Sequence, residues 1–539
     1  MKKLIFIFFA IFFLSFVICH SQTWQWAKHF GSSNGDEAGP LCMDSSGNSY
    51  ITGNFFHPYG LFGTDTVQLV GPVMDIFISK IDNNGNFIWS KRAGGQESFS
   101  MGWELGADIK YEKSDNRIII CGLTNANSPN IGTCVLGNGT QTLLSKIDTS
   151  GNCIWAQSVA SQMGGGEITL DNNGYIYMIG SFSQTAFFNT NPIQQIQSGG
   201  FLAKFNSSNG NCVWVKKITE PNSGGSSISF YNNNLYIAGL SANDTLKLGT
   251  ATAYCYPNDI FISEFDTAGN VQWVKTLGGP QADNTSSLSL DGSGNIFVTG
   301  LFQDTAYFGS TMLTNGSNKD WFLAKYDNSG NFIWVKQAHI TANIYDDYSV
   351  SSDANGNVYV AGNFSGTATF GTYTVTAVTT TDLFIARYDN NGNCLGVIQS
   401  GGFNYGTENI ITDNAGGGFH IAGTFTGPTT FGIYPLTSYG NIDGFIAKYD
   451  GITGINEVEW NNSILIYPNP TSGQFQVSSN KYQVSSIEIY NVYGEKVYSN
   501  SHVPQSTQLT INLTAQAVGI YFLKLKTPDG VAVKKIVKE

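Results

Sequence analysis

Few of the reactive side chains in this chain fall at spacings that do chemistry. The turns DNNGN at 82–86, DNNGY at 171–175 and DNNGN at 389–393 come nearest to a cation loop. Calcium needs several oxygens converging on one ion. Each turn offers a single carboxylate, and its asparagines serve the turn itself, so turn chemistry is the reading. The six histidines are His20, His29, His57, His339, His420 and His502, and none pairs with another at ligand spacing. His29 and His420 lie on strand-like segments and read as packing or surface residues. No HExxH, GxSxG, P-loop or CxxC occurs. No catalytic residue, metal ligand or cofactor is therefore assigned.

Cysteine chemistry is equally unmarked. Residues after position 21 hold Cys42, Cys121, Cys134, Cys153, Cys212, Cys255 and Cys394, an odd set that cannot all pair within the chain. Cys153, Cys212 and Cys394 share one slot of a repeat, and equivalent slots lie too far apart to bridge. Buried free thiols are the expectation.

The elements that must position these groups are strands. Glycine is abundant at 62 residues, aromatics reach 13% and charged residues only 12%, a composition suited to short strands and tight turns. Asp-x-x-Gly-Asn turns close hairpins over and over. The segment 286–337 shows the unit: an alternating strand, DGSGN, IFVTGLF, a variable stretch, WFLAKYD, NSGN and FIWVKQA. The first hairpin recurs seven times, ending at Gly53, Gly122, Gly180, Gly239, Gly300, Gly362 and Gly423. The strand that opens the second hairpin also recurs seven times, from DIFISKID at 75–82 to DGFIAKYD at 443–450. Its closing strand carries Trp89, Trp155, Trp214, Trp273 and Trp334, while the sixth copy has Gly396 there.

The seventh copy stops at Asp450, and its closing strand is found at the other end of the chain. TWQWAKHFG at 23–31 places Trp26 in the tryptophan slot. Four strands per unit in seven units predict a seven-bladed β-propeller whose N-terminal strand closes the last blade. The fold class is all-β, with a smaller β-sandwich after the ring.

The ends carry different signals. Lys2 and Lys3, an apolar run from Leu4 to Ile18, and small residues Cys19 and Ser21 before Gln22 predict a signal peptide over 1–21. Bulky Ile18 argues against lipid attachment at Cys19. No later run is long enough to cross a bilayer as a helix. The propeller spans 22–450, a linker 451–463 and a second domain 464–539. The net charge is −12. Lysines outnumber acids in the last domain, so the propeller holds more than the whole of that excess. This argues against nucleic acid as a partner.

Two resemblances follow from these motifs. D-x-x-G-N-x-Y/F-x-x-G at Asp353–Gly362, and D-x-F-x-A-K-Y-D-x-x-G-N-x-x-W at Asp320–Trp334, resemble the bacterial SBBP-type propeller repeats. That implies a surface or secreted propeller and no fixed activity. Tyr467-Pro468-Asn469-Pro470 with Gly473, IYNVYGEKV, Gly519-Ile520-Tyr521 and terminal Lys534-Lys535-Ile536-Val537-Lys538 resemble the C-terminal sorting domain of the Bacteroidetes type IX secretion system. That implies export through the secretion machinery, with 464–539 removed on surface attachment or release. The Gly-Asn-x-x-Trp hairpin is also similar to the tryptophan repeat of quinoprotein dehydrogenases. It departs in having Gly-Asn for Gly-Lys and no vicinal cysteine pair.

In a four-stranded propeller both hairpin turns of a blade face one side, and the blade-to-blade and mid-blade loops face the other. Sequence variation concentrates on that second face. Its blade-to-blade loops carry Asp36, Glu37, Glu97, Glu104, Glu220, Asp283, Asp346, Asp347 and Glu408, with Phe99, Trp103, Tyr345, Tyr348, Phe403 and Tyr405. The expected binding residues are Asp36, Trp103, Glu104, Asp283, Tyr345, Asp346, Asp347 and Glu408, for a glycan or protein ligand. A binding or adhesion scaffold is the leading function. A secreted propeller enzyme acting on polysaccharide, or a quinoprotein-like oxidoreductase, is the alternative.

Overall fold

The computed structural model describes 23–450 and 464–539. Within these it omits 57, 71–72, 98–103, 140, 162–164, 190–193, 343, 402–408, 414–417, 480–485, 492–494, 501–507 and 528–529. The leader at 1–21 and the linker at 451–463 lie outside the described residues. The chain divides into two compact units, one spanning Gln22–Asp450 and one holding Gly451–Glu539.

Alternating apolar residues and Asp-x-x-Gly-Asn turns build the first unit from hairpins. In each turn the aspartate accepts from the backbone two and four residues on. Asp82 Oδ1 takes the N–H of Asn84 and Asn86, and its Oδ2 takes the Asn86 amide. Gly85 then sits at φ +82°, where a side chain is strained. The first blade contains Glu37–Met43, Ser49–Phe56, Met74–Ile81 and Phe87–Glu97, hydrogen-bonded in that order. Six further sheets repeat this order, giving seven four-stranded blades among the described residues. Their innermost strands are neighbours in succession: Glu37–Met43, Leu105–Glu112, Gly165–Leu170, Gly224–Tyr231, Asn284–Leu290, Ile344–Ser352 and Asn409–Thr412. The last contacts the first again, so the succession closes into a β-propeller.

The two ends of the propeller segment meet in the last blade. Thr23–Gly31 runs antiparallel to Asp443–Asp450, pairing Thr23 with Asp450 and Trp26 with Lys448. Closure is reinforced between blades. The Trp26 indole nitrogen donates to Asn83 O at 3.0 Å, Trp89 to Thr149 O at 3.1 Å, Trp155 to Ser207 O at 3.1 Å and Trp334 to Asn390 O at 3.2 Å. Every acceptor belongs to the second-hairpin turn of the following blade. On the inside, Ser227, Ser287 and Ser349 hydroxyls accept from Leu288, Val350 and Ile410 of the next inner strand.

Mid-blade stretches add a feature that repeat spacing did not disclose. The hairpin of Tyr59–Phe62 and Asp65–Gln68, from the first blade, pairs onto Thr23–Gly31 of the last. Ala126–Ile131 likewise pairs onto Phe87–Glu97, and Thr367–Phe370 onto Phe332–Ile340. These additions cover outer edges that would otherwise present unpaired N–H and C=O groups.

One cysteine expectation is corrected. Cys134 and Cys153 form a disulfide, with Cα atoms 6.1 Å apart. The bridge joins an accessory hairpin to the closing strand of its own blade, so the distance between repeat slots never limited it. Cys42, Cys121 and Cys212 are buried free thiols, and Cys255 and Cys394 are half-buried.

The second unit is a β-sandwich. One sheet holds Ile464–Tyr467, Gln474–Ser479 and Gln508–Asn512; the other holds Lys496–Asn500, Ser486–Asn491, Gly519–Thr527 and Gly530–Lys538. Phe475, Val477 and Ile511 of the first pack against Ile487, Ile489, Leu523, Leu525 and Ile536 of the second.

Candidate functional site

The structure separates the expected binding residues into two groups. Trp103 and Glu408 lie outside the described residues, as do Phe99, Phe403 and Tyr405. Tyr345, Asp346 and Asp347 lie on the described strand Ile344–Ser352, with their side chains outside the description. Asp36, Glu104 and Asp283 are buried, which corrects the expectation of solvent-facing acids. Asp36 accepts from the backbone of Ser32 and Phe56. Glu104 accepts from Gly95 N and the Thr124 hydroxyl. Asp283 accepts from Gly279 N and Gln303 N. These acids pin the loops that carry them. Tyr348 is also inside, against Phe384 on the third strand of its own blade.

Two cavities among the described residues bear on function. The larger, about 1160 Å³, opens on the hairpin-turn side, opposite the loop face. Asp44, Asp291, Asp413, Lys448 and His420 are among its lining residues. Several of its polar groups already have partners in the fold. Asp44 accepts from Ser46 N and Asn48 N, and Asp291 from Ser293 N and Asn295 N. Lys448 reaches Asn83 Oδ1 at 2.6 Å. His420 Nδ1 lies 2.6 Å from the Ser49 hydroxyl. A Ser–His contact invites comparison with a nucleophile and its base, but both residues are buried. Burial also pushes the imidazole down to about 3. The pair joins the last blade to the first.

The second cavity, about 740 Å³, lies on the loop face. It is lined by the end of the fourth blade's accessory hairpin, Tyr254 to Pro257, together with Asp244, Thr276 and Tyr307. Tyr254 is 86% exposed, Tyr256 48% and Tyr307 46%. Asp244 is exposed beside them. Three aromatic faces and a carboxylate around one groove offer broad apolar contact plus hydrogen-bond acceptors. Sequence reading passed over these tyrosines because it weighed blade-to-blade loops, whereas Tyr254 and Tyr256 lie in a mid-blade stretch. Two tyrosines flanking one cysteine in YCY, at 254–256, were the available signal.

In the sandwich, sorting-signal residues from opposite ends of the domain converge. Asn469 donates through Nδ2 to Lys535 O and accepts the Val537 N–H at Oδ1, both at 2.8 Å. Thr471 N donates to Val537 O, and Glu539 N to Thr471 O. Tyr467, Pro468 and Pro470 stay exposed, with Lys535 exposed and Lys534 half-buried on the strand that Asn469 grips. Gly473 has φ +121°, and Tyr521 donates its hydroxyl to Ala517 O at 2.6 Å. Gly519 begins the strand Gly519–Thr527. Lys538 is buried and donates to Thr514 O and Gln516 O.

Fold and site together define a β-propeller repeat protein carrying a secretion signal at its C-terminal end. Residues 272–301 match the family described as Beta-propeller repeat, and 465–539 match the Secretion system C-terminal sorting domain. That sorting domain marks a secreted or cell-surface protein and implies contact with the type IX secretion machinery. Among the described residues no helix is long and apolar enough to cross a membrane.

An uncharacterized WD repeat-containing protein of Acanthamoeba polyphaga mimivirus is 31% identical over 163 residues. The match takes in 26% of this chain and 12% of that protein's length. Among solved structures, BamB from Moraxella catarrhalis aligns over 79% of this chain and 91% of its own, at 10% identity and TM-score 0.35. Quinohemoprotein alcohol dehydrogenase from Comamonas testosteroni aligns over 79% and 76%, at 10% identity and TM-score 0.39. Raptor from Chaetomium thermophilum aligns over 79% and 29%, at 8% identity and TM-score 0.43. Likeness at this level carries no argument about activity.

Proposed function

We propose that the protein is a non-enzymatic binding scaffold, exported by the type IX system and displayed or released outside the cell. The leader at 1–21 directs the chain into the periplasm and is removed there. Residues 464–539 engage the secretion machinery through the patch organised by Asn469. The propeller of seven blades then presents its loop face to a glycan or protein ligand.

The observation that carries the binding reading is the groove of Tyr254, Tyr256 and Tyr307. Solvent-exposed tyrosines clustered around a cavity are costly to leave without a function, because they present apolar area to water. Trp103, Tyr345, Asp346, Asp347 and Glu408 belong to the same face and are proposed to extend the contact surface. Asp36, Glu104 and Asp283 are not retained in it, because their carboxylates hold the loops.

A glycan array probed with the full chain and with Tyr254→Ala/Tyr307→Ala tests this. Saturable binding lost in the variant, with an unchanged melting temperature, supports the groove. Ligands bound equally by both proteins place recognition elsewhere, and turnover of a bound polysaccharide replaces the scaffold by an enzyme.

A further inference from the structure

Three blades repeat one arrangement of two buried acids. An aspartate near the start of the third strand faces an acid from the loop leaving the blade: Asp75 with Glu104, Asp259 with Asp283, and Asp443 with Asp36. Between them lies a glycine at or near the end of the closing strand. A Cβ at Gly94 would stand 2.0 Å from Glu104 Oε2 and 2.5 Å from Asp75 Oδ1. At Gly278 the same atom would be 2.3 Å from Asp283 Oδ2 and 2.4 Å from Asp259 Oδ1. At Gly31 it would be 2.8 Å from Asp36 Oδ2 and 2.9 Å from Asp443 Oδ1. The two carboxyl groups thus converge on one small space over each glycine.

The strand aspartates are fully buried, at 0% (Asp75), 3% (Asp259) and 0% (Asp443) exposure. In each, Oδ2 accepts a backbone N–H, from Val70, Tyr256 and Tyr439 respectively. In each, Oδ1 makes no hydrogen bond of ordinary geometry, although the Gly279 and Gly440 N–H groups also lie against Asp259 and Asp443. The atom without a well-formed hydrogen bond is the same in all three blades, and it is the one that faces the second acid. Two ionised carboxylates cannot stay this close without water. Something positive must lie between them, and the surroundings decide what. Backbone N–H groups of Ser32, Phe56, Val70, Gly95, Tyr256, Gly279, Gln303 and Tyr439, with the Thr124 hydroxyl, already point at these carboxyls. That shell stabilises one negative charge per pair and opposes a metal cation, which wants oxygen ligands.

We propose that each pair shares a single proton at neutral pH, so that the loops leaving three blades are held by proton-bridged carboxyls. The proton bridges the strand aspartate's Oδ1 and the facing oxygen of the loop acid, and the pair as a whole carries one negative charge. Burial pushes Asp36 up to about 7 and Asp283 to about 8, and Asp259 and Asp443 each to about 6. Asp75 also moves up, chiefly by burial, against the pull of Glu104, Val70 and Arg92. Other ionisable groups facing the pairs are few. Arg92 stands 3.5 Å from Asp75 Oδ2, Cys255 neighbours Asp259 and Tyr439 neighbours Asp443. In the fifth and sixth blades the matching strand aspartates are Asp320 and Asp382. Gln337 with His339, and Gln399, reach their Oδ2 atoms from the closing strand, the glutamines at the register of Arg92. Their Oδ1 atoms take backbone N–H groups, from Ile340 and Thr379 respectively.

The sign follows from linkage. Each pair holds its proton to a higher pH in the folded chain than in the unfolded one. Its stabilisation is complete below about pH 4, falls as pH rises and is spent by about pH 8.

Thermal melts of the full chain from pH 5 to 9 test this, beside Asp75→Asn/Asp259→Asn/Asp443→Asn, which supplies a permanent N–H in place of the proton. The wild-type melting temperature should drop by several degrees between pH 5 and 8, and the variant should lose that slope. Parallel curves overturn the proposal. If the triple variant does not fold, infrared difference spectra of the wild type between pH 6 and 9 decide. Loss of a protonated-carboxyl band supports shared protons, and its absence overturns them. A rise in wild-type melting temperature at pH 8.5 on adding calcium overturns them as well, in favour of a bridging cation.

Discussion

The indole of Trp26 lies across the turn glycine Gly85 and donates its N–H to Asn83 O in the adjoining blade. The strand that carries Trp26 is thereby tied to both neighbours, to 443–450 through strand pairing and to the first blade through this dock. Deleting 22–31 removes both and leaves Asp443–Asp450 as an exposed edge. The truncated protein is expected to melt far below the intact one, and a similar melting temperature would contradict closure by this strand. Trp26→Ala alone is expected to cost about 3–5 kcal/mol in denaturant titration, as for other buried aromatics.

Glycine at the dock is required twice over. Gly85 and Gly330 have φ of +82° and +76°, and each supports a tryptophan ring from the preceding blade, Trp26 and Trp273. Gly85→Val and Gly330→Val should each destabilise by at least about 1–3 kcal/mol from backbone strain, before ring displacement is added. Circular dichroism melts check this. Binding by any variant that stays folded should be unchanged, because the turns lie opposite the tyrosine groove.

The sixth blade offers a control. Gly396 stands where tryptophan is expected, and a Cβ there meets nothing within 4 Å. No hairpin turn joins the last two strands of the seventh blade, Asp443–Asp450 and Thr23–Gly31, because they come from distant parts of the sequence. Gly396→Trp should therefore leave the melting temperature almost unchanged, while Trp334→Ala lowers it clearly.

Acid should act on the hairpin turns in the opposite sense to the buried pairs. At Asp82, Asp148, Asp266, Asp327 and Asp389, slight burial raises the carboxyl, but turn N–H groups outweigh it and hold each below the ordinary value. Their contribution is present above about pH 4 and is lost as pH falls through the lowered values. Melts between pH 5 and 2 should show a decline that Asp82→Asn, at one turn, makes measurably shallower.

Sorting is expected to depend on Asn469. Asn469→Ala removes both bonds to the terminal strand and should reduce surface or secreted protein in the native host, measured by fractionation. Removing 464–539 should abolish it and strand a folded propeller in the periplasm. Normal display of that truncation would remove the role given to the tail.

Much of the architecture was readable because the same physical need recurs in every blade. A turn that must close takes Asp and Gly, and a blade that must dock takes Trp, so repetition exposes both. The same logic read Thr23–Gly31 as a displaced closing strand. What escaped notice were features formed once or irregularly. Cys134 lies in a variable stretch with no repeat slot, so nothing aligned it with Cys153. Asp36, Glu104 and Asp283 sit in loops, where acids are ordinarily solvated. Their burial follows from Gly31, Gly94 and Gly278, which let the exit loop fold back over the start of the third strand. The recurrence of glycine shortly before an acid was the signal for it. The tyrosine groove depends on how an accessory hairpin lies against its own blade, and no local pattern encodes that.

The pairing of Thr23–Gly31 with Asp443–Asp450 also sets an order of events. A chain that emerges amino-terminus first releases this strand at the outset and its partner only after six blades have been made. Contacts so distant in sequence form late, because the loop between them must first be ordered. Until then the first strand has no sheet of its own, and the nascent ring is an open arc with sticky ends. Fidelity of the propeller thus rests on keeping one short amphipathic strand from pairing elsewhere for nearly the whole time that the ring is being built.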